Sequence, residues 1–146
     1  MRFKKASGAV VCAAWVLGGC AIHQTVKPVA RLEGRQVCII ENPAVRAGFI
    51  DAYKRSLAVK GYTVRQLPPS AAITECPTTS TYSANWRWDM AMYMSHAEIK
   101  VFSNGQPVGQ ALYDSTRGGA NMNKFIEADR KIDELVNQLF PGGAGI

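Results

Sequence analysis

The Asn104-Gly105 dipeptide constrains the fold of this 146-residue chain more than any other feature. It lies between two runs rich in β-branched and aromatic residues, and a two-residue hairpin loop requires positive φ at both positions, which Asn and Gly adopt most readily. The dipeptide therefore predicts a β-hairpin, in which 78–102 forms one long strand, or two joined by a bulge, and 108–114 forms the return strand. The cross-strand pairs expected from a two-residue loop are Val101 with Val108 and Ala97 with Leu112.

A strand–helix–strand unit is predicted before the hairpin. Residues 36–41 are a β-branched run typical of a buried strand. Asn42-Pro43 supplies a helix N-cap followed by a first-turn proline, so a helix should extend to Lys60. A second strand is expected over 62–67, parallel to the first. The apolar stripe expected on this helix is Val45, Phe49, Ala52, Tyr53 and Leu57.

A last helix is predicted after the loop 116–121, with Asn121 or Asn123 as its cap and an end near Phe140. The element order is then β-α-β-β-β-α. A hydrophobic content of 47% fits one globular domain, which we place over 36–141 with a flexible tail over 142–146. We expect an α+β fold, a two-layer sandwich of a mixed sheet with both helices on one face. The core stripe expected on the last helix is Ile126, Ile132, Leu135, Val136 and Leu139.

The first twenty residues have the plan of a secretory signal peptide. A basic start containing Arg2, Lys4 and Lys5 precedes an apolar run over 9–17, and small residues lead from there to Cys20. The apolar run has nine residues. A spanning helix needs about 20, so a short transmembrane anchor is the less favoured alternative.

The run Leu17-Gly18-Gly19-Cys20 resembles the lipobox of bacterial lipoproteins. The resemblance implies that a signal peptidase removes residues 1–19, that the Cys20 thiol receives a diacylglycerol and that the new amine is acylated. Two or three acyl chains hold a protein firmly at a bilayer. Ala21, where inner-membrane lipoproteins of Gram-negative bacteria tend to have Asp, implies the outer membrane, on either face. We expect 20–35 to be a lipidated tether.

The mature part also resembles uncharacterised Gram-negative envelope lipoproteins that carry the run Ser83-Ala84-Asn85-Trp86-Arg87-Trp88-Asp89. Its element order is similar to that of small accessory domains of the periplasm and outer membrane. The resemblance implies a small α+β envelope domain and brings no activity with it.

Two cysteines remain once Cys12 leaves with the signal peptide and Cys20 carries lipid. Cys38 and Cys76 would then form a single pair in an oxidising compartment, where a disulfide is expected. Two buried free thiols are the alternative. A metal site is less favoured because no Cys-x-x-Cys or paired histidine accompanies them.

The stretch 82–96 is rich in Trp, Met and Tyr, and three hypotheses fit it. Its apolar side chains fill the core, or they form a docking surface for a partner, since aromatic residues, Met and Arg are enriched at interface centres. Alternatively, thioethers and an imidazole that share one strand face bind Cu(I). The residues of the candidate partner surface are Trp86, Arg87, Trp88, Asp89 and Tyr93, and those of the candidate copper site are Met90, Met92, Met94 and His96.

Other function classes find less support in the sequence. Without Arg2, Lys4 and Lys5, 14 basic residues oppose 11 acidic ones, and a net charge near +3 without a basic run argues against a nucleic-acid partner. The loop Thr116–Gly119 precedes a helix but matches no phosphate-binding fingerprint. The serines lie in no nucleophile elbow. An enzyme with a dispersed site around Arg87, Asp89 or His96 stays an alternative.

The sequence therefore predicts a lipid-anchored outer-membrane lipoprotein that is not an enzyme, needs no cofactor and binds another component of the cell envelope, most simply a protein.

Overall fold

The computed structural model describes residues 21–143, which form a six-stranded mixed sheet and two α-helices. In chain order the elements are β1 (His23–Lys27), β2 (Gln36–Ile40), α1 (Ala47–Val59), β3 (Thr63–Leu67), β4 (Thr78–Asp89), β5 (Ala91–Ser103), β6 (Gln106–Asp114), a 3-10 turn (Met122–Phe125) and α2 (Ala128–Leu139). The strand order in the sheet is β1-β6-β5-β4-β2-β3. The predicted α+β class with a mixed sheet is confirmed. The predicted signal peptide, Cys20 and the last three residues of the predicted tail lie outside the described residues.

The β2–α1–β3 unit forms as predicted, with β2 and β3 parallel from Gln36 opposite Thr63 onward. The start of the helix differs from the prediction. The side-chain oxygen of Asn42 accepts a hydrogen bond from the Ala44 amide at 3.1 Å, while its side-chain amide donates to the Tyr82 carbonyl at 3.0 Å. Asn42 thus closes a separate turn that is tied to β4, and α1 begins only after Arg46.

The predicted tether over 20–35 belongs in its middle part to the domain, which was expected to begin only at residue 36. His23–Lys27 form the edge strand β1, which pairs antiparallel with β6 from His23 opposite Asp114 to Lys27 opposite Gln110. Alternate residues of β1 are exposed and the others are half-buried. Because a polar edge strand buries little apolar surface, it leaves only a weak periodic signal in the sequence.

The main core lies between the sheet and the helices. The Tyr53 hydroxyl of α1 hydrogen-bonds the Ser80 hydroxyl of β4 at 2.8 Å, and burial raises the pKa of Tyr53 although this hydrogen bond opposes the shift. The Ser56 hydroxyl donates to Asp133 of α2 at 2.9 Å, which joins the two helices. The predicted stripes of both helices are buried except for Ile126, which precedes α2 and is half-buried. The sheet residues in this core are Val37, Ile39, Tyr82, Ala84, Met94, Ala97, Ile99, Val101, Ala111 and Tyr113.

The hairpin turn at Asn104-Gly105 is confirmed, with φ of 49° and 80° at the two residues. The predicted register is wrong. A bulge at Val101/Phe102 leaves Val108 without a partner in the ladder, so that every later residue of β6 is displaced by one. The observed pairs are Val101 with Gly109 and Ala97 with Tyr113.

The segment predicted as one long strand, or two joined by a bulge, is a second antiparallel hairpin. Asp89 pairs with Ala91 across Met90, whose φ is 60°, and a bulge occurs at Asn85/Trp86. Asp89 is the one common turn residue at this point in the sequence, and the positive φ falls on Met90, a residue type that rarely adopts it. Alternation continues across the turn, which explains why it reads as a single strand.

A disulfide joins Cys38 and Cys76, as predicted, with sulfurs 2.02 Å apart. Cys38 lies between two residues of the main core, Val37 and Ile39, and therefore points to the other face of β2. There it packs with Leu67 and Cys76 in a small second cluster, which ties the loop 68–77 to the sheet.

The chain between β6 and α2 is more irregular than predicted. The Asn121 side chain accepts a hydrogen bond from the Asn123 amide at 3.0 Å and so caps the 3-10 turn, not the last helix. At the other end of α2, Gly143 of the predicted tail accepts a hydrogen bond from the Tyr62 hydroxyl at 2.7 Å. Over 21–143, no helix combines the length and apolar character that a membrane crossing requires.

Candidate functional site

The β4–β5 hairpin projects beyond the rest of the sheet. The last row of residues shared by four strands consists of His23, Asp114, His96 and Asn85. Over residues 86–94, which we call the hairpin tip, β4 and β5 pair only with each other. At about 3.4 Å per residue, Met90 at the apex lies roughly 17 Å beyond Asn85 along the strand direction.

The hairpin tip exposes large apolar side chains. Trp88 is 72% exposed, Met90 79% and Met92 51%, and Trp88 and Met92 lie directly opposite each other. The next pair on the same face, nearer the sheet, is covered: Trp86 is half-buried against the main core, and Met94 opposite it is 2% exposed. Single exposed apolar residues are ordinary, but three at one apex form a contiguous patch that marks a candidate contact site.

Lys124 of the 3-10 turn braces the opposite face of the tip. Its side chain is only 5% exposed, and its ammonium group donates to the Asp89 carboxylate and to the Gly119 carbonyl. The same nitrogen lies 5.2 Å from the Tyr93 ring centroid and 5.1 Å from that of Phe125. A buried cation is tolerated here because a carboxylate, a carbonyl and two aromatic faces surround it.

Two ring contacts fix the tip further. Tyr93 and Phe125 meet edge to face with centroids 5.5 Å apart. On the side of the helices, the guanidinium of Arg46 lies 5.2 Å from the Trp86 ring centroid. The apolar patch is therefore carried on a hairpin that is held from both faces.

The structure divides the five residues of the predicted partner surface. Trp88 and Arg87 are exposed and Trp86 is half-buried, whereas Tyr93 is buried and Asp89 is paired with Lys124. Met90 and Met92, which the sequence analysis named as candidate copper ligands and left out of the residues of the partner surface, complete the exposed patch. Lys124 was missed altogether, because it is 35 residues away from Asp89 along the chain and no local motif joins the two.

The candidate copper ligands do not share one side. The bulge places Asn85 opposite His96 and Trp86 opposite Met94, and neighbouring residues of a strand point to opposite faces. Met94 is buried in the main core, whereas His96 lines a groove on the back of the hairpin with Asn85. Over 21–143, no group of three or more His, Cys, Asp or Glu residues lies close enough to hold a metal.

The polar groups of the loop Thr116–Gly119 bond to the loop itself and to its neighbours. The amide and hydroxyl of Thr116 both donate to the Asp114 carboxylate, and these hydrogen bonds lower the pKa of Asp114. The Gly118 amide donates to the Ser115 carbonyl at 2.9 Å, and the Gly119 carbonyl accepts from Lys124. The geometry is that of a tightly folded connection.

The groove on the back of the hairpin bears on the alternative of an enzyme. It has a volume of about 400 Å³ and is lined by Asn85, Trp86, Arg87, Ser95, His96 and Thr116. Arg87 and His96 thus both line this groove, while Asp89 binds Lys124 outside it. The serine of this groove, Ser95, is buried and donates its hydroxyl to the Asn85 carbonyl at 3.2 Å, which leaves it poorly placed as a nucleophile.

Comparison with known proteins finds a likeness of fold. No family model matches the chain, and no curated protein matches it. The chain is similar to the structure of a PelC dodecamer from Paraburkholderia phytofirmans that carries a single leucine-to-methionine substitution, with a TM-score of 0.56 and 14% identity, covering 86% of this chain and 100% of that one. It is also similar to a PelC dodecamer from the same organism, with a TM-score of 0.51 and 14% identity over 82% and 95% of the two chains. At this identity the comparison shows a shared fold.

Proposed function

We propose that this chain is a lipid-anchored, non-enzymatic protein of the Gram-negative outer membrane that acts through contacts with other envelope proteins, the first of them further copies of itself. The lipobox-like run ending at Cys20 supports the anchor. The Cys38–Cys76 disulfide is in keeping with an oxidising compartment outside the cytoplasm.

Self-assembly rests on one observation, the likeness of the whole domain to chains solved as dodecamers. The sheet itself offers a physical route, because β1 and β3 are its outer strands. An outer strand presents backbone amides and carbonyls that a neighbouring chain is able to pair with. Homo-oligomers with closed symmetry are also the commonest assemblies of soluble domains.

The non-enzymatic part of the proposal draws on the chemistry of the described residues. The hairpin tip combines exposed apolar groups with a paired Asp89, an arrangement suited to contact. In the groove behind it, His96 adjoins a hydroxyl that is already bonded to the backbone. Nucleophilic catalysis requires a hydroxyl within hydrogen-bond reach of its base.

The test is to extract the protein from outer membranes of its native host in detergent, measure its mass by light scattering and identify the proteins that purify with it. We expect a discrete homo-oligomer. A monomer with no envelope protein attached, in several detergents, would overturn the proposal. The Cys20→Ala variant is the control for anchoring, and we expect it to leave the outer-membrane fraction.

A further inference from the structure

The start of the described chain and the hairpin tip lie at the same end of the sheet. His23 belongs to the last shared row, from which the tip projects, and β1 runs from this row away from the tip. The Cγ1 atom of Ile22 lies 3.5 Å from where a Cβ would stand on Gly118. The segment after Gly118 leads to Lys124, whose ammonium group binds Asp89 of the tip. A continuous set of contacts thus joins the N-terminal end to the tip.

The distances that the acylated Cys20 and the apex of the hairpin extend from the sheet determine whether both contact the same bilayer. Cys20 precedes His23 by three residues, and an extended chain spans at most about 3.6 Å per residue, so the acylated residue is no more than roughly 11 Å from His23. Met90 lies roughly 17 Å beyond the same row. With the acyl chains of Cys20 in a bilayer, the apex of the hairpin reaches that bilayer as well.

The side chains at the apex suit a bilayer interface. An indole ring has an apolar body and one polar N–H group, which is why tryptophan is enriched at the level of lipid headgroups. Trp88 is accompanied by the exposed thioether chains of Met90 and Met92. Arg87 and Arg117 are exposed near this end, where guanidinium groups pair well with lipid phosphates.

We propose that the hairpin tip is a second membrane contact, in which Trp88, Met90 and Met92 enter the interface of the bilayer that holds the acyl chains of Cys20. This proposal rests on the lipidation in the proposed function. The acyl chains retain the protein at the membrane, and the tip fixes its orientation by giving the rigid domain a second point of attachment. A protein bound at the apex would occupy the space that the bilayer fills.

Quenching of tryptophan emission by brominated lipids tests this contact. The chain has three tryptophans, of which Trp15 leaves with the signal peptide, so the mature protein carries Trp86 and Trp88. We place the full lipidated protein in phosphatidylethanolamine–phosphatidylglycerol vesicles with brominated acyl chains. We expect most of the wild-type emission from Trp88 to be lost, and the Trp88→Phe variant, which keeps the half-buried Trp86, to lose little.

A matched control moves the indole to the other end of the molecule. Val59 is 87% exposed at the end of α1, close to the start of β3, which pairs with the beginning of β2. In the double variant Val59→Trp/Trp88→Phe, we expect the new tryptophan to escape quenching. Because both positions are exposed, thermal unfolding should match that of wild type, and equal quenching at both positions would contradict an oriented contact.

The outcomes separate this inference from the proposed function. If intact mass shows acylated Cys20 and Trp88 is not quenched, the anchor stands and the second contact is wrong. If intact mass shows that the native protein carries no acyl chains on Cys20 and Trp88 is still quenched, the anchor is wrong and the membrane contact of the tip stands. Crosslinking of residue 88 to a protein in place of lipid overturns the second contact.

Discussion

The two halves of the β4–β5 hairpin both alternate their side chains between the two faces, with a shift of one residue on β5 at the bulge, and they have opposite surroundings. In the half within the sheet, Ile99 and Ala97 are fully buried beneath the helices, whereas in the tip their counterpart Met92 is 51% exposed. Arg46, which precedes α1, lies over Trp86, so the helical layer ends at the base of the tip. Alternation specifies which face a residue occupies, and the length of the covering helices determines whether that face is core or surface.

The largest difference between the halves should appear on truncation of apolar side chains. We expect Ile99→Ala, in the fully buried half, to lower the free energy of unfolding by about 2–5 kcal/mol. The matched change in the tip, Trp88→Ala, should alter it by no more than about 0.5 kcal/mol. Urea unfolding of both variants measures the difference, and equal losses would show that the tip is packed in solution.

The disulfide supports only the half of the hairpin within the sheet, since Cys76 precedes β4 by two residues. We expect the double variant Cys38→Ala/Cys76→Ala to lower the free energy of unfolding by about 2–4 kcal/mol, because a closed loop restricts the unfolded chain. At urea concentrations below the unfolding midpoint of the variant, amide hydrogen exchange in the tip should be as slow as in the wild-type protein. Faster exchange at residues 86–94 would link the tip to the disulfide.

The brace on the tip should have a smaller and more local effect. Replacing Lys124 by Met keeps the apolar stem and removes the ammonium group that binds Asp89 and Gly119. We expect a loss of about 1.5 kcal/mol, the lower end for hydrogen bonds to charged groups, because Asp89 is half-exposed. Hydrogen exchange should quicken in the tip alone. Lys54→Met, at an exposed pair with Asp51, is the control and should change neither measurement.

We expect the smallest effect on stability at Asp114, which pairs with His96 at the boundary between the two halves of the hairpin. Hydrogen bonds from the Thr116 side chain and amide lower the pKa of Asp114 below its ordinary value. The Asp114 carboxylate therefore stabilises the fold at pH values above its pKa in the unfolded chain. This contribution is lost as the pH falls through its lower pKa in the folded protein. In the Thr116→Val variant we expect the pKa of Asp114 to rise, which NMR titration measures. We also expect the free energy of unfolding to fall less as the pH is lowered, which urea unfolding at several pH values measures. An unchanged pKa would assign the shift to other groups.

The fold was predictable where a short stretch of sequence is compatible with only one local structure. Asn104-Gly105 requires a turn, and spacings of three and four on α1 require a buried stripe. The register after that turn was not predictable, because the bulge that displaces Val108 depends on packing between strands. The turn at Met90 was missed for a related reason: methionine has no intrinsic preference for positive φ, and the pairing of the two strands imposes it.

The candidate site was predictable in its location and not in its composition. The Trp- and Met-rich stretch indicated the tip, but the sequence assigned Tyr93 to the surface and left out Met90. Burial of Tyr93 depends on Phe125 and Lys124, which a separate segment brings to it. Unlike the stripe of a helix that packs along its whole length, a single contact between segments that are far apart in the chain leaves no periodic trace in either of them.

The most direct test of this account is the intact mass of the protein isolated from its native host. We expect a chain that begins at Cys20 and carries the added mass of a diacylglycerol and an amide-linked acyl chain, with Cys38 and Cys76 oxidised. A chain that retains residues 1–19, or a Cys20 without acyl groups, would contradict it.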